Sequence, residues 1–144
     1  MKILIMNGPN LNMTGVRKKD VYGAETLDDI NKELKSYGES KGVQMYFYQS
    51  NHEGALIDAI HESKDKFDGV VLNAGAYTHY SYAIMDAIKS VEMPVIEVHI
   101  SNVHKREEFR HTSVTVAACS GQIVGLGIYG YVLALMAVKN IKEQ

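Results

Sequence analysis

A single cysteine, Cys119, stands in this chain of 144 residues, so no internal disulfide framework can form and a reducing, cytoplasmic setting is expected. No stretch combines the basic, apolar and small-residue regions of a secretory leader. Net charge is scarce as well: fifteen basic side chains against seventeen acidic ones leave −2, which excludes a general attraction for nucleic acid or an anionic membrane. Any preference for anions must then come from a local site. The one long apolar run, residues 123–138, falls short of the about 20 residues that a bilayer core requires. It also ends at once in Lys139, Lys142 and Glu143, so a buried terminal helix with close glycine contacts is expected in place of a membrane span. Missing too are a GxGxxG after the first strand, GxxxxGK[ST], and Cys-rich or His-x-x-x-His spacing. A zinc site built from His99, His104 and Glu97 would lack any such signature, and a nucleotide site is weakly supported without a glycine-rich turn after the first strand. With 46% hydrophobic residues and no repeat, low-complexity stretch or linker, residues 1–144 are expected to form one domain.

Strand and helix signals alternate along the chain. Residues 2–6 (KILIM) form a short apolar run that stops in the turn-rich Asn7-Gly8-Pro9-Asn10, as a buried strand does. Across residues 25–41, Leu27, Ile30, Leu34 and Tyr37 recur at helical spacing, and Gly42 follows as a stop. The same reading gives strands at 43–49, 68–72, 94–99 and 113–118, helices at 53–64 and 80–91, a short helix at 103–109, and the terminal helix. Strands that are nearly continuous in Val, Ile and Leu, alternating with helices, imply an α/β fold: a five-stranded parallel sheet covered on both faces, the flavodoxin-like three-layer sandwich. The one long irregular stretch runs from Gly8 to Ala24, a length usually functional or mobile.

Ligands of such sheets bind outside the carboxyl ends of the strands. Three polar clusters fall there: Asn7 to Asn12 after the first strand, Asn73 to His79 after the third, and Glu97 to Asn102 at the end of the fourth. Glu97 and His99 are two apart in a strand and share a face, opposite Ile96, Val98 and Ile100. A carboxylate beside an imidazole can orient the ring and favour its protonated form, which suits a general acid. The same pair also fits a self-satisfied ion pair at a strand end. Ser101 and Asn102 can cap the short helix, whose N–H groups would attract carboxylate or phosphate, although many caps bind nothing. Asn10, Asn12 and Asn73 fit Asx turns, and His52, His104 and His111 fit surface positions. Arg17 and Tyr22 in the long loop are, taken alone, ordinary surface residues.

The motifs then combine. NGPNLN at 7–12, Tyr22-Gly23 after a basic loop, NAGAYTH at 73–79, EVHISNVHKREEFRH at 97–111 and GQIVGLGIYGY at 121–131 resemble, in this order over essentially the whole chain, the type II 3-dehydroquinate dehydratases. The resemblance implies a lyase without metal or cofactor that converts 3-dehydroquinate to 3-dehydroshikimate by anti elimination through an enolate, in the shikimate route to aromatic amino acids. It implies Tyr22 as the base, held as phenolate by Arg17 and Arg106, with Asn10 stabilising the enolate through a water. His99, oriented by Glu97, would protonate the departing hydroxyl. The substrate carboxylate would rest on the N–H groups of Ile100 and Ser101, with Asn73, His79 and Arg110 on the ring hydroxyls. Asp86 would reach a neighbouring subunit's site, in trimers that assemble into a dodecamer.

One segment departs from the family. Where its members commonly carry Arg-Glu-Pro, this chain has Arg17-Lys18-Lys19, which implies a more mobile lid. Tyr80 and Tyr82 are large for their place after Thr78-His79 and have no account beyond subunit packing. Two rivals use the same crevice: a module that binds a small anion without proton transfer, and an isomerase or epimerase of a related sugar acid.

Overall fold

Alternate residues of the first strand face opposite layers. In the computed structural model, which describes residues 1–16 and 24–144, Ile3 and Ile5 of β1 (Lys2–Asn7) join one core cluster while Leu4 and Met6 join the other. That is the period of two expected of a strand buried on both faces. The Ile3 side is closed by α1 (Leu27–Ser40) and the terminal helix α4 (Tyr129–Glu143), through Ile30, Leu34, Tyr131, Leu135 and Val138. The Leu4 side is closed by α2 (Glu53–Ser63) and α3 (Tyr82–Lys89), through Leu56, Ile60, Ile84 and Ile88. With β2 (Gln44–Gln49), β3 (Gly69–Asn73), β4 (Val95–His99) and β5 (Gly121–Val124), the sheet has the order β2-β1-β3-β4-β5, all pairs parallel. The five-stranded flavodoxin-like sandwich expected from the alternation is therefore the architecture. The chain reverses its direction of winding between β1 and β3, so their carboxyl ends diverge into a crevice.

Local chemistry sets the helix ends. Thr26 and Asp29 form a reciprocal capping box on α1, with Thr26 Oγ1 accepting from the Asp29 N–H at 3.2 Å and Asp29 Oδ2 accepting from the Thr26 N–H at 3.1 Å. Gly42, at φ +74°, turns the chain out of the helix toward β2. Ser81 caps α3 by accepting from the Ile84 N–H at 3.0 Å, and its hydroxyl donates to Glu53 at 2.6 Å. Among the described residues no helix is long and apolar enough to cross a membrane.

Four expectations change. The fifth strand is Gly121–Val124, not 113–118, and the terminal helix begins at Tyr129 instead of Ile123. Gly125 and Gly127, at φ +84° and +63°, break the apolar run into a strand, a left-handed turn and a helix. Their N–H groups donate to the carbonyls of His99 and Ile100 at 3.1 and 3.0 Å, tying this turn to the end of β4. Residues 113–118 alternate like a strand, but Ser113 and Thr115 turn their hydroxyls onto Glu97 and Val116–Ala118 forms a 3-10 turn. The short helix at 103–109 is two 3-10 turns, Val103–Lys105 and Glu108–His111. The stretch after Gly8 is not irregular at its start, since Leu11–Met13 is a further 3-10 turn.

Candidate active site

The first two loops of the site interlock through glycine. The Gly8 N–H donates to the Asn73 carbonyl at 2.7 Å, and a Cβ on Gly8 would lie 2.6 Å from the Ala74 oxygen. Gly75 answers from the other side, at φ +60°, where a Cβ would lie 3.0 Å from the Pro9 oxygen. No larger residue lets the backbones after β1 and β3 approach so closely. Asn10 then takes a left-handed conformation, φ 69°, and its N–H donates to Asn51 Oδ1 at 2.9 Å. The result is a cleft walled by Asn10 and Leu11 after β1, by Asn73 and His79 after β3, and by His99, Ile100, Ser101, Arg106 and Arg110 after β4. Of the residues expected to form the site, these gather in one place.

Beneath the cleft lies a polar network that the sequence did not reveal. The buried Tyr131 of α4 donates its hydroxyl to Asn7 Oδ1 at 2.5 Å and accepts from Asn73 Nδ2 at 2.9 Å. Asn73 Oδ1 accepts from the Gly75 N–H at 3.2 Å, so both ends of its amide are fixed. Burial pushes the Tyr131 phenol well up, the Asn73 hydrogen bond opposing, which keeps it a neutral strut. Tyr131→Phe is expected to destabilise the protein by about 1–3 kcal/mol, because two buried amides lose their partner; a shift of that size in denaturant unfolding with an unchanged slope would bear this out.

Glu97 and His99 meet as their spacing requires, with His99 Nε2 3.0 Å from Glu97 Oε2. Glu97 is fully buried, yet Ser113, Thr115 and Gln122 also donate to its two oxygens, Ser113 at 2.9 Å and Gln122 at 2.5 Å. Burial alone pushes this carboxyl up; the hydrogen bonds from His99 and Thr115, the imidazole's charge and the Gln122 amide outweigh it and hold the group below its ordinary value. An ionised carboxylate can only accept, so His99 Nε2 carries a proton and Nδ1 is the ring nitrogen that Glu97 leaves for other partners. His79 is fixed in the opposite sense. Its Nδ1 donates to the Thr112 carbonyl at 2.8 Å, which leaves Nε2 as an acceptor, and the ring stacks on His99 with centroids 6.2 Å apart. Burial pushes His79 down from 6.5 against the Thr112 hydrogen bond, and the neighbouring His99 and Arg110 push it the same way.

Cations flank the pair. Arg106 donates to Ser101 Oγ at 3.2 Å, while Arg110 donates to Glu107 at 3.0 Å and lies over the Phe109 ring at 4.7 Å. The Asn102 side chain caps the turn after β4 by accepting from the His104 N–H at 3.2 Å. A carboxylate-bearing ligand entering here would meet guanidinium groups, backbone at Ile100 and Ser101, the His79 imidazole and the carboxylate-bound imidazole of His99. Such a division of roles suits acid-base chemistry.

Arg17 and Tyr22, with Lys18-Lys19, fall outside the described residues. Asp86 is exposed on α3 and does not line the cleft of its own chain, and Tyr80 and Tyr82 near it are 59% and 65% exposed. Among the described residues no group of three or more His, Cys, Asp or Glu is placed to hold a metal ion.

Comparison with known proteins adds to the geometry. The family model described as Dehydroquinase class II matches residues 1–139. A 3-dehydroquinate dehydratase of Bacillus cereus (strain AH187) is 60% identical over 137 residues, covering 95% of this chain and 94% of that protein. The crystal structure of a type II dehydroquinase from Butyrivibrio crossotus DSM 2876 superposes with a TM-score of 0.95 at 54% identity, over 96% of this chain and 97% of that one. That of Propionibacterium acnes gives 0.91 at 40% identity, over 99% and 97%.

Proposed function

This chain belongs to the class II dehydroquinase family, and on that premise we propose that it dehydrates 3-dehydroquinate to 3-dehydroshikimate in the shikimate pathway. The elimination runs anti, through an enolate. Tyr22, as a phenolate kept by Arg17 and assisted by Arg106, takes the proton from the carbon beside the ketone. Asn10 stabilises the enolate oxygen by way of a water. His99 gives its proton to the departing hydroxyl, and water leaves. The substrate carboxylate rests on the N–H groups of Ile100 and Ser101, while Asn73, His79 and Arg110 hold the ring hydroxyls. Asp86 contributes to a neighbouring subunit's cleft, in trimers that assemble into a dodecamer.

The observation that carries this reading is the buried Glu97 bound to His99 at the wall of a cleft that also presents Arg106 and Arg110. A binding module has no use for an imidazole held so firmly in one protonation pattern. The exposed position of Asp86 supports its service to another copy. Incubating purified protein with 3-dehydroquinate is expected to produce the ultraviolet absorption of a conjugated enone. Binding without that signal would favour the anion-binding module, and deuterium entering unconsumed substrate without product would favour an isomerase.

A further inference from the structure

Glu97 is a difficult side chain to keep ionised. It has no exposed surface, and a carboxyl taken from water without compensation turns neutral. A neutral Glu97 would have a proton to donate to His99 Nε2. The ring would then hold its own proton on Nδ1 alone, and giving that proton to a leaving hydroxyl would require a second transfer from Glu97 in the same step. An anionic Glu97 avoids this, because the ring can lose the Nδ1 proton and remain a neutral imidazole with Nε2–H.

Three donors from distant parts of the chain enforce the anionic arrangement, and they divide the two oxygens between them. Oε1 accepts from Ser113 and Thr115, and Oε2 accepts from Gln122 in addition to His99. Thr115 is fully buried and belongs to the segment that abandons strand structure to reach the carboxylate. Gln122 stands directly opposite Glu97 in the β4 and β5 register. Ser113 is itself held, its oxygen accepting from the Val116 N–H at 3.0 Å. A cap on the carboxylate from both sides also stops its plane from turning, so the ring that follows Oε2 is stopped with it.

We propose that Thr115 and Gln122 are positioning residues of the dehydratase, which fix the Glu97 carboxylate as an acceptor and thereby hold His99 with Nε2–H inward and Nδ1 turned to the reacting hydroxyl. This rests on His99 being the acid of the proposed reaction. The analogous task of a carboxylate holding an imidazole in one tautomer is known to be worth much in catalysis.

The test pairs kinetics on 3-dehydroquinate with 15N NMR of histidine-labelled protein, for Thr115→Val, Thr115→Ser and Gln122→Leu. Thr115→Val is expected to lower kcat about tenfold, the low end of what one charge-assisted hydrogen bond contributes, while KM stays within about threefold. At a pH high enough to leave the ring neutral, the His99 nitrogens are expected to change from a single Nε2–H form to a mixture of tautomers, and Thr115→Ser to restore both readings. Gln122→Leu, on an edge strand, should move both in the same direction and serves where Thr115→Val fails to fold. Wild-type kcat and an unchanged His99 spectrum in Thr115→Val and Gln122→Leu would overturn the proposal, as would a fall in kcat with the tautomer intact. No enone from the wild type would instead sink the dehydratase reading, and the spectra would still judge the positioning.

Discussion

Replacing His99 with alanine is expected to lower kcat by about 10²–10⁴, the range that a general acid contributes, and to weaken substrate binding as well. The leaving group is a hydroxyl, which departs poorly unless a proton reaches it during bond breaking. Among the described residues that line the cleft, only His79 and His99 carry an imidazole, and Arg106 and Arg110 cannot give up a proton near neutral pH. His79 is pushed toward the neutral form and has spent its N–H on the Thr112 carbonyl, so it is the wrong donor. His99 is held by the Glu97 carboxylate through Nε2, which leaves Nδ1 as the ring nitrogen that can face the leaving group. Steady-state kinetics would decide the matter: a His99→Ala enzyme within about tenfold of the wild type would mean that the proton comes from elsewhere.

The sheet was legible because the first, third and fourth strands are short, largely apolar runs and the second is rich in aromatic residues, with a turn signal at the end of each. Ile3 and Leu4 need no context to be assigned to opposite faces. The fifth strand was hidden by its neighbours. Gly121–Val124 continues without a polar break into the apolar residues of α4, and the turn between them is made by two glycines that a helix of close contacts would also tolerate. Residues 113–118 misled in the opposite direction, since their alternation of hydroxyl and apolar side chains comes from reaching a buried carboxylate and not from a sheet face.

The site divides along the same line. Glu97 and His99 were readable because two residues in a strand share a face. The donors that keep Glu97 ionised lie 16, 18 and 25 residues away, and Tyr131 lies 124 residues from Asn7, so no local spacing could reveal them. One signal was available: a carboxylate inside a strand whose neighbours are Ile96 and Val98 must be buried, and a buried carboxylate must find donors. That signal requires donors for Glu97 without naming Thr115 or Gln122, which only the fold brings to it. Asp86, proposed to serve another copy, belongs to a different class, because such a role leaves no trace in the contacts of one chain.

Tyr22→Phe is expected to reduce kcat by at least about 10³ while substrate continues to bind, because loss of one hydroxyl removes the base and leaves the ring and the rest of the cleft. The rival base is His79, whose Nε2 is an available acceptor at the cleft wall. Tyr131 is no rival, since its hydroxyl is committed to Asn7 and Asn73 and burial opposes its ionisation. For Tyr22 the difficulty is its ordinary pKa near 10: a phenolate at neutral pH needs about 4 kcal/mol of preference. A guanidinium about 4 Å away supplies about that much at an effective dielectric near 20. Arg17 five residues earlier and Arg106 on the turn after β4 are the cations proposed for it. Arg17→Ala should therefore move the acid limb of the rate profile to higher pH, since more base is needed to ionise Tyr22 once the cation is gone. Should Tyr22→Phe turn over normally, His79 becomes the base and the loop is left with substrate capture alone.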